Sequence, residues 1–296
     1  MILLSESRAT PSKRDFSSAD ADIRGLTKAA RQAGCVVYEL PHEADCNDPE
    51  EALREVPAQA RETFALWQGY IPSLAYYRGL YQAAERRRLR LLNTPEEHQR
   101  VLEFDLAYPA LIGLTPESLV ITSTEGAARC VEVLGLPLFV KGAIFSRKSF
   151  GLKGCVAETL PELVSLIEKL LPLQKSLGKV IVRRFASLKK SEREWLEFPM
   201  SREFRVFLYR GEVVAHGFYW PLFDHPMTQL SPVEEETLLS VAREAARRLR
   251  VGYVSVDVAQ QEDDRWIVIE TGDPQFSGLS FIDPALLVAR LLGLLK

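Results

Sequence analysis

Two runs of the sequence decide the fold: Tyr253-Val-Ser-Val-Asp-Val-Ala-Gln260 and Trp266-Ile-Val-Ile-Glu-Thr271. Apolar β-branched residues alternate with polar ones, which predicts two strands joined by a turn near residues 262–265. Side chains alternate across a strand, so Asp257 is expected on the face opposite the three valines of the first run. The two runs therefore predict an antiparallel hairpin that carries one acidic residue in each strand.

The two acidic residues, Asp257 and Glu270, are predicted to oppose each other across this hairpin. By alternation, Glu270 is expected to share a face with Trp266 and Val268. Directly opposed residues have Cβ atoms about 5 Å apart, where like charges destabilise a sheet. Burying an unpaired carboxylate is also costly. A Mg²⁺ ion, which prefers oxygen ligands and keeps phosphates as co-ligands, would compensate both charges. The alternative is that one carboxylate faces solvent or pairs with an arginine.

Composition narrows the class of protein. The chain has 296 residues, of which 47% are hydrophobic and 26% charged, and a net charge of −3. This is typical of a globular protein and gives no reason to expect nucleic acid or an anionic membrane as partner. No signal segment and no apolar run of about 20 residues is visible, so a cytoplasmic location is expected. The four cysteines and four histidines show no zinc or redox spacing.

The N-terminal part predicts a small layered α/β unit. Residues 1–4 and 35–40 read as strands, and residues 18–33 between them as a helix. Residues 42–60 are acidic and are predicted to be irregular. A helix is expected after Pro72, ending at three arginines, residues 86–88. We interpret these arginines as a solvated helix C-terminus rather than a nucleic-acid site, because cations suit that end of the helix dipole.

From about residue 119 the sequence predicts strands separated by helices, an α+β arrangement. Helix starts are predicted at the capping boxes of Thr94, Thr159 and Ser231, each followed within two residues by proline, and at Asp283. The predicted strands are residues 119–122, 136–141, 180–185, 203–209, 213–220, 253–260 and 266–271.

Basic residues along this region are candidate phosphate ligands. Lys141 ends a strand and precedes a glycine, so it could reach a phosphate; the alternative is an ordinary strand-end lysine. Residues 145–154, Phe-Ser-Arg-Lys-Ser-Phe-Gly-Leu-Lys-Gly, contain Arg147, Lys148 and Lys153 and no acid. This loop is a candidate mobile lid over phosphates, or a solvated surface loop. Neither a Walker loop nor a dinucleotide-binding glycine motif is present.

Two arginines in predicted strands complete the set. Arg183 follows the apolar run 180–182, and Arg205 lies in Glu203-Phe-Arg-Val-Phe207 on the face opposite Phe204 and Val206. The planar guanidinium of arginine grips phosphate with two donors. The alternative for each arginine is a salt bridge at the rim of the sheet.

The order of these residues resembles the ATP-grasp superfamily over roughly residues 110–290. The series is a strand lysine, a basic glycine loop, a strand arginine, an E-x-R strand, a strand aspartate and a strand glutamate. The tail Glu270-Thr-Gly-Asp-Pro-Gln-Phe-Ser-Gly-Leu279, with the stretches Tyr77-Arg-Gly79 and Leu92-Asn-Thr-Pro95, is similar to a divergent clade. That clade includes bacterial and phage proteins and a eukaryotic cell-division-cycle protein that helps assemble a translation initiation factor.

The resemblance implies a fold and a set of roles. The fold is an ATP-grasp domain, residues 109–296, in which two β-rich lobes clasp ATP, preceded by an N-terminal α/β domain, residues 1–108. The implied roles are Lys141 on the α- and β-phosphates with Lys153 of the lid; Arg183, then the backbone of Arg184 and Phe185 at the adenine edge; Arg205 on the γ-phosphate, catalytic with Lys153; and Asp257 and Glu270 on Mg²⁺. The third metal position falls on Asp273 or on Gly272, where many ATP-grasp enzymes have asparagine.

The implied activity is ADP-forming ligation of a carboxylate to an amine through an acyl phosphate. The acceptor would be a small molecule, a peptide or a protein. The alternative is a non-enzymatic ATP-dependent assembly chaperone. An RNA-modifying ligase is a third interpretation, which the negative net charge disfavours. Oligomeric state is not predicted.

Overall fold

Three four-stranded sheets and one hairpin organise the computed structural model, which describes residues 1–7, 18–195, 198–220 and 225–296. Within those ranges no helix is long and apolar enough to cross a membrane.

The first sheet is parallel and N-terminal, with strand order β2-β1-β3-β4. Its third strand was not predicted, because Thr-Phe-Ala-Leu-Trp-Gln alternates weakly: Leu66 and Trp67 are buried on opposite faces in two different cores. Residues 42–60, predicted to be irregular, include one short helix. The elements are β1 (Ile2–Ser5), α1 (Ser18–Gln32), β2 (Val36–Glu39), α2 (Pro49–Ala52), β3 (Thr63–Gln68), α3 (Leu74–Arg86) and β4 (Leu89–Leu91).

The second sheet is antiparallel, with order β5-β8-β6-β7, and two helices pack against its apolar residues. The predicted capping boxes of Thr94 and Thr159 both form. The elements are α4 (Pro95–Leu102), α5 (Phe104–Leu111), β5 (Ser118–Ile121), α6 (Ala127–Leu134), β6 (Leu138–Gly142), β7 (Val156–Ala157), α7 (Leu160–Leu170) and β8 (Val180–Arg184).

A hairpin leads from the second sheet into the third, which is antiparallel with order β12-β11-β13-β14. The hairpin was not predicted; the third sheet and its helices were. The Ser231 capping box starts α8 as expected. The elements are β9 (Lys190–Trp195), β10 (Phe198–Ser201), β11 (Glu203–Tyr209), β12 (Glu212–Phe218), α8 (Pro232–Leu249), β13 (Tyr253–Gln260), β14 (Trp266–Gly272) and α9 (Pro284–Leu294).

The predicted hairpin of β13 and β14 is confirmed, with Asp257 paired to Glu270. One detail of the prediction was wrong. The register shifts after this pair, so that Val258 pairs with Val268, and Ile269 is the extra residue of a β-bulge. Val268 therefore faces the apolar core with the β13 valines, while Glu270 faces the opposite side.

The N-terminal layer and the third sheet share a hydrophobic core. Leu3 of β1, Leu26 of α1, Phe207 of β11 and Leu287 of α9 belong to one buried cluster. Helix α9 also packs against α1 and β12, so the end of the chain returns to the first domain. The division at residues 108 and 109 stays a prediction, and this shared core means that the two parts are not independent in packing.

Candidate functional site

A cleft of about 610 Å³ lies between the second and third sheets. Its inner walls are largely apolar, and charged side chains gather at one end. Its apolar lining comes from both sheets, the linker after β8 and the hairpin: Pro116, Phe139, Leu152, Phe185, Ala186, Leu188, Phe198, Pro199 and Ile269. Its polar lining is Lys148, Arg183, Arg184, Lys190, Ser201 and Glu203. Clefts of this size and character hold small ligands.

Arg205 and Asp257 form a bidentate ion pair across β11 and β13, where the two residues are directly opposed. Arg205 Nε donates to Asp257 Oδ1 and Nη2 to Oδ2, both at 2.8 Å, and Nη1 donates to the carbonyl of Gly278 at 2.9 Å. Burial opposes the charge on the guanidinium, but Asp257 outweighs burial and raises the pKa of Arg205. Arg205 is therefore a fixed cation, and two of its five N–H groups are not used by these bonds.

Lys141 and Glu270 form the second pair. Lys141 is 3% exposed, and its Nζ donates to Glu270 Oε1. Burial lowers the pKa of Lys141, with Arg183 and Lys148 adding to the effect and Glu270 opposing it. The pKa of Glu270 is held below its usual range by Lys141 and Lys148, against the effect of burial. Both shifts have one cause, an excess of positive charge around the pair.

These pairs change the argument made from the sequence for a metal. The carboxylates of Asp257 and Glu270 do oppose each other, but each already has a cation partner. The predicted alternative, pairing with an arginine, is what Asp257 does here. The repulsion therefore does not by itself require Mg²⁺, and the metal role of the two residues stays a prediction.

The lid residues are arranged differently from the prediction. Lys153 is exposed, in the turn Leu152–Gly154. Lys148 instead points into the charged end of the cleft. Its Nζ lies 5.6 Å, 5.7 Å and 5.1 Å from the ring centres of Phe198, Tyr219 and Trp220. We call these three rings the aromatic cage. Burial opposes the charge of Lys148, but Glu203, Tyr219, Glu270 and Asp257 together raise its pKa.

Glu203 is a site residue that the sequence argument missed. It is 1% exposed, and its Oε2 accepts a hydrogen bond from Ser201 at 2.9 Å. Its Oε1 has no hydrogen-bond partner in the described part of the chain. Burial raises the pKa of Glu203, although Lys148 opposes the effect. Strand alternation was a usable signal, since Glu203 and Arg205 are two residues apart in one strand and therefore share a face.

Arg183 ties the two sheets together. Its Nη1 donates to the carbonyl of Ile269 at 2.8 Å, and its Nη2 donates to Thr115. Its guanidinium lies 4.9 Å from the ring centre of Phe104, and burial lowers its pKa to about 10. Arg183 thus borders the cleft, but most of its donors are used within the protein.

The backbone predicted to bind adenine is also partly engaged. The N–H of Arg184 donates to the carbonyl of Glu117 at 2.8 Å, and that of Phe185 to Pro137 at 3.4 Å. The Arg184 side chain pairs with Glu117 on the surface. The aromatic ring of Phe185 lines the cleft. An adenine edge would therefore depend on the carbonyls of this linker or on the N–H groups after Phe185.

Asp273 is not brought to the other two carboxylates. It is fully buried, shares a 2.9 Å hydrogen bond with His98 Nδ1, and accepts from the backbone N–H of Gln275 at 3.1 Å. The reason is local: the chain turns at Pro274–Phe276 directly after β14, and Asp273 caps that turn. At the other predicted position, Gly272, a Cβ would lie 2.9 Å from Ser255 Oγ. The described residues contain no group of three His, Cys, Asp or Glu side chains suited to a metal.

The charged end of the cleft nevertheless suits an anion with a metal. Four cations, Lys141, Lys148, Arg183 and Arg205, face three carboxylates, Glu203, Asp257 and Glu270, an excess of one positive charge. Glu270 keeps 35% of its side chain exposed, and carboxylate oxygens retain lone pairs beyond those used here. Mg²⁺ commonly uses one or two carboxylates and takes its other ligands from phosphates and water, so this donor set fits it.

Known proteins were compared with this chain. Residues 152–291 match the model of an ATP-grasp domain family, the one described as family 3 of its clade. A search of curated proteins gave no match. Solved structures share the fold over most of the chain. An ATP-grasp RimK domain protein from Sphaerobacter thermophilus is 13% identical, with a TM-score of 0.61 and 99% of each chain covered.

Two further structures were solved with nucleotide. D-alanine–D-alanine ligase from Bacillus anthracis, complexed with ATP, is 13% identical, with a TM-score of 0.65 over 99% of this chain and 95% of the ligase. N5-carboxyaminoimidazole synthase from Aspergillus clavatus, with ADP, is 14% identical, with a TM-score of 0.61 over 92% and 69%. The chain therefore has the ATP-grasp fold, and its residues 152–291 match one clade of that superfamily.

Proposed function

We propose that this chain binds Mg-ATP in the cleft and acts as an ADP-forming carboxylate–amine ligase. The acceptor would be an amino acid, a peptide or a protein, and the location cytoplasmic. The observation that carries the proposal is the excess of buried positive charge at one end of an apolar cleft, which suits a ligand with an apolar ring and a polyanionic tail.

Each part of ATP has a chemically suitable partner. The adenine ring fits the apolar walls beside Phe185. The unpartnered Oε1 of Glu203 would accept a hydrogen bond from a ribose hydroxyl, which removes the cost of an unsatisfied buried acceptor. Lys141, Lys148 and Arg205 would contact the phosphates. Lys148 takes the lid role that the resemblance gave to Lys153.

Asp257 and Glu270 would hold Mg²⁺, which neutralises charge on the phosphates during transfer. The contribution of the chain itself is mainly positioning and charge. Arg205 is buried, fixed by Asp257 and by the Gly278 carbonyl, and does not reorganise when charge develops nearby. Fixed donors of this kind stabilise a transition state more than flexible ones do.

In the proposed reaction a substrate carboxylate oxygen attacks the γ-phosphorus, and the bond to the ADP oxygen breaks. The acyl phosphate is then attacked by an amine, with formation of a C–N bond and release of phosphate. The names of two solved neighbours, a D-alanine–D-alanine ligase and an N5-carboxyaminoimidazole synthase, support ATP-dependent chemistry for this fold.

Nucleotide binding and product analysis test the proposal. Calorimetry should show ATP binding that needs a divalent ion, and a pool of carboxylates and amines should elicit ADP and phosphate. AMP and pyrophosphate as products would contradict the acyl-phosphate route. Tight Mg-ATP binding without turnover in any pool would favour the assembly-chaperone alternative.

A further inference from the structure

The N-terminal layer reaches the charged end of the cleft through Asp22 of helix α1. Asp22 is half-buried, and its Oδ2 accepts a hydrogen bond from the backbone N–H of Leu279 at 2.9 Å. Leu279 follows Gly278, whose carbonyl accepts from Arg205 Nη1. One short segment after β14 is therefore held on one side by a carboxylate and on the other by the Arg205 guanidinium.

Gly278 keeps these two charged groups close together. A Cβ at this position would lie 3.1 Å from Asp22 Oδ2 and 3.6 Å from Arg205 Nη1. Without a side chain there, Asp22 and Arg205 border the same small surface. Ser255 and Ser277, whose hydroxyls lie 3.0 Å apart, are close to this segment and add hydrogen-bonding groups.

The carboxylate of Asp22 differs from the others around the site. Asp257 pairs with Arg205 and Glu270 with Lys141, whereas Asp22 has no cation within ion-pair distance in the described ranges. Its Oδ1 likewise accepts no hydrogen bond from those residues. Burial raises the pKa of Asp22, while the Leu279 hydrogen bond and Arg205 lower it. A half-buried carboxylate with an oxygen left over in this way is a suitable partner for a ligand ammonium.

We propose that Asp22 binds the ammonium group of the acceptor, beside Arg205 and on the side of the site formed by the N-terminal layer. The inference rests on the proposed ligase function and assigns its amine substrate to a specific side chain. The acceptor then meets the phosphate end of the nucleotide from α1 and residues 277–279, while adenine lies in the apolar cleft. The acceptor is accordingly an amine that is protonated in solution, such as a free amino acid or the N-terminus of a peptide.

The test compares wild type with Asp22→Asn and Asp22→Glu. Asparagine keeps an oxygen for the Leu279 N–H but removes the charge, and glutamate restores the charge. ADP formation is measured with Mg-ATP, a carboxylate pool and a panel of amino acids and dipeptides, then with hydroxylamine, which is mostly uncharged at neutral pH. Asp22→Asn should raise the KM for amines at least tenfold and leave turnover with hydroxylamine within twofold. Asp22→Glu should recover part of the loss.

Several outcomes would overturn the inference. An unchanged amine KM in Asp22→Asn would do so, as would an equal loss with amines and hydroxylamine, which indicates a structural role. Equal use of the panel and its N-acetylated counterparts by wild type would also exclude an ammonium site. Calorimetric Mg-ATP binding separates the two levels: its absence refutes the proposed function, whereas its presence in both proteins with an indifferent Asp22→Asn refutes this inference alone. Mg-ATP binding with no amine-dependent ADP formation by wild type overturns the inference and the ligase proposal together.

Discussion

Two buried groups of charged residues lie at either end of one short stretch, Glu270 to Asp273, and they are built in opposite ways. Around Asp273, the hydrogen-bonding groups are matched: His98, the Gln275 backbone and the Gln275 amide all bond the carboxylate, and Tyr77 stacks on His98 at 4.1 Å. Around Glu270, charge is in excess, Glu203 has an oxygen without a partner among the described residues, and Glu270 is 35% exposed.

The difference separates a structural group from a functional one. A closed network in which donors and acceptors are paired stabilises one arrangement and has nothing left for a ligand. An open cluster with surplus charge and an unpaired acceptor costs stability in the free protein, and a ligand of matching chemistry recovers that cost. Substitutions in the two groups should therefore affect different quantities, ligand-linked ones for the cluster and unfolding for the network.

The largest effect is expected from Arg205→Lys in the open cluster. Lysine keeps a positive charge but loses the two-point contact with Asp257 and the bond to Gly278. Turnover should fall by about 10²–10³-fold, as when one fixed donor to a developing charge is removed. Affinity for ATP should change much less, because the charge remains. Steady-state kinetics with calorimetry measures both, and a rise in KM with unchanged kcat would show that Arg205 contributes only to uniform binding.

The second prediction concerns Mg²⁺. Because Lys141 and Arg205 already compensate the carboxylates, Mg²⁺ alone should hardly change the melting temperature. Mg²⁺ with ATP at about 100 times Kd should add about 2.7 kcal/mol of stability. Glu270→Gln should abolish most of that gain and still fold, since Gln keeps the side-chain volume. Lys153→Met, in the exposed turn, is the matched control and should behave as wild type. A full Mg-ATP shift in Glu270→Gln would remove Glu270 from the metal site.

The third prediction is for the closed network. Asp273→Ala leaves His98 and the Gln275 amide without their partner in a fully buried place. Unsatisfied buried groups of this kind cost about 1–3 kcal/mol, which chemical denaturation would detect. Affinity for Mg-ATP, measured where the variant is folded, should stay within about twofold. A large loss of metal-dependent ATP binding with normal stability would instead support Asp273 as the third metal ligand.

How well the sequence predicted the molecule follows the range of the interactions involved. The capping boxes at Thr94, Thr159 and Ser231 depend on residues three positions apart, and all three form. The pairing of Asp257 with Glu270 depends on one hairpin and was also correct. The bulge at Ile269 was not, because alternation carries no signal for an extra residue where Val268 must reach the core.

Long-range contacts explain the remaining differences in the site. Residues Lys148 and Lys153 look equivalent in the loop sequence, and the choice between them depends on rings from β10 and from the segment after β12. Likewise, Arg183 is held by Thr115 and by carbonyls of β14, 68 to 86 residues away. No local pattern predicts which donors remain free for a ligand.

The smallest expected effect sharpens the contrast within the lid. Residues 145–154 were predicted to be cut by trypsin at Arg147 or Lys148 without nucleotide, but the Lys148 amine lies in the aromatic cage, and Arg147 lies over the ring of Phe150 at 4.2 Å. Trypsin must take the cationic side chain into its own pocket, so cleavage in the free protein should occur first after the exposed Lys153. Mass spectrometry of early fragments distinguishes the three sites.

Loosening the cage tests whether it holds Lys148 in place. Phe198→Leu keeps an apolar, half-buried side chain at the hairpin but removes one ring, and a cation–π contact of about 1 kcal/mol corresponds to a change of about fivefold. Cleavage after Lys148 should rise by about that factor, while cleavage after Lys153 serves as the internal control and stays constant. Mg-ATP should suppress cleavage after Lys148 in both proteins, because the amine then contacts phosphate. Preferred cleavage after Lys148 in the free wild-type protein would show that the cage does not restrain the lid.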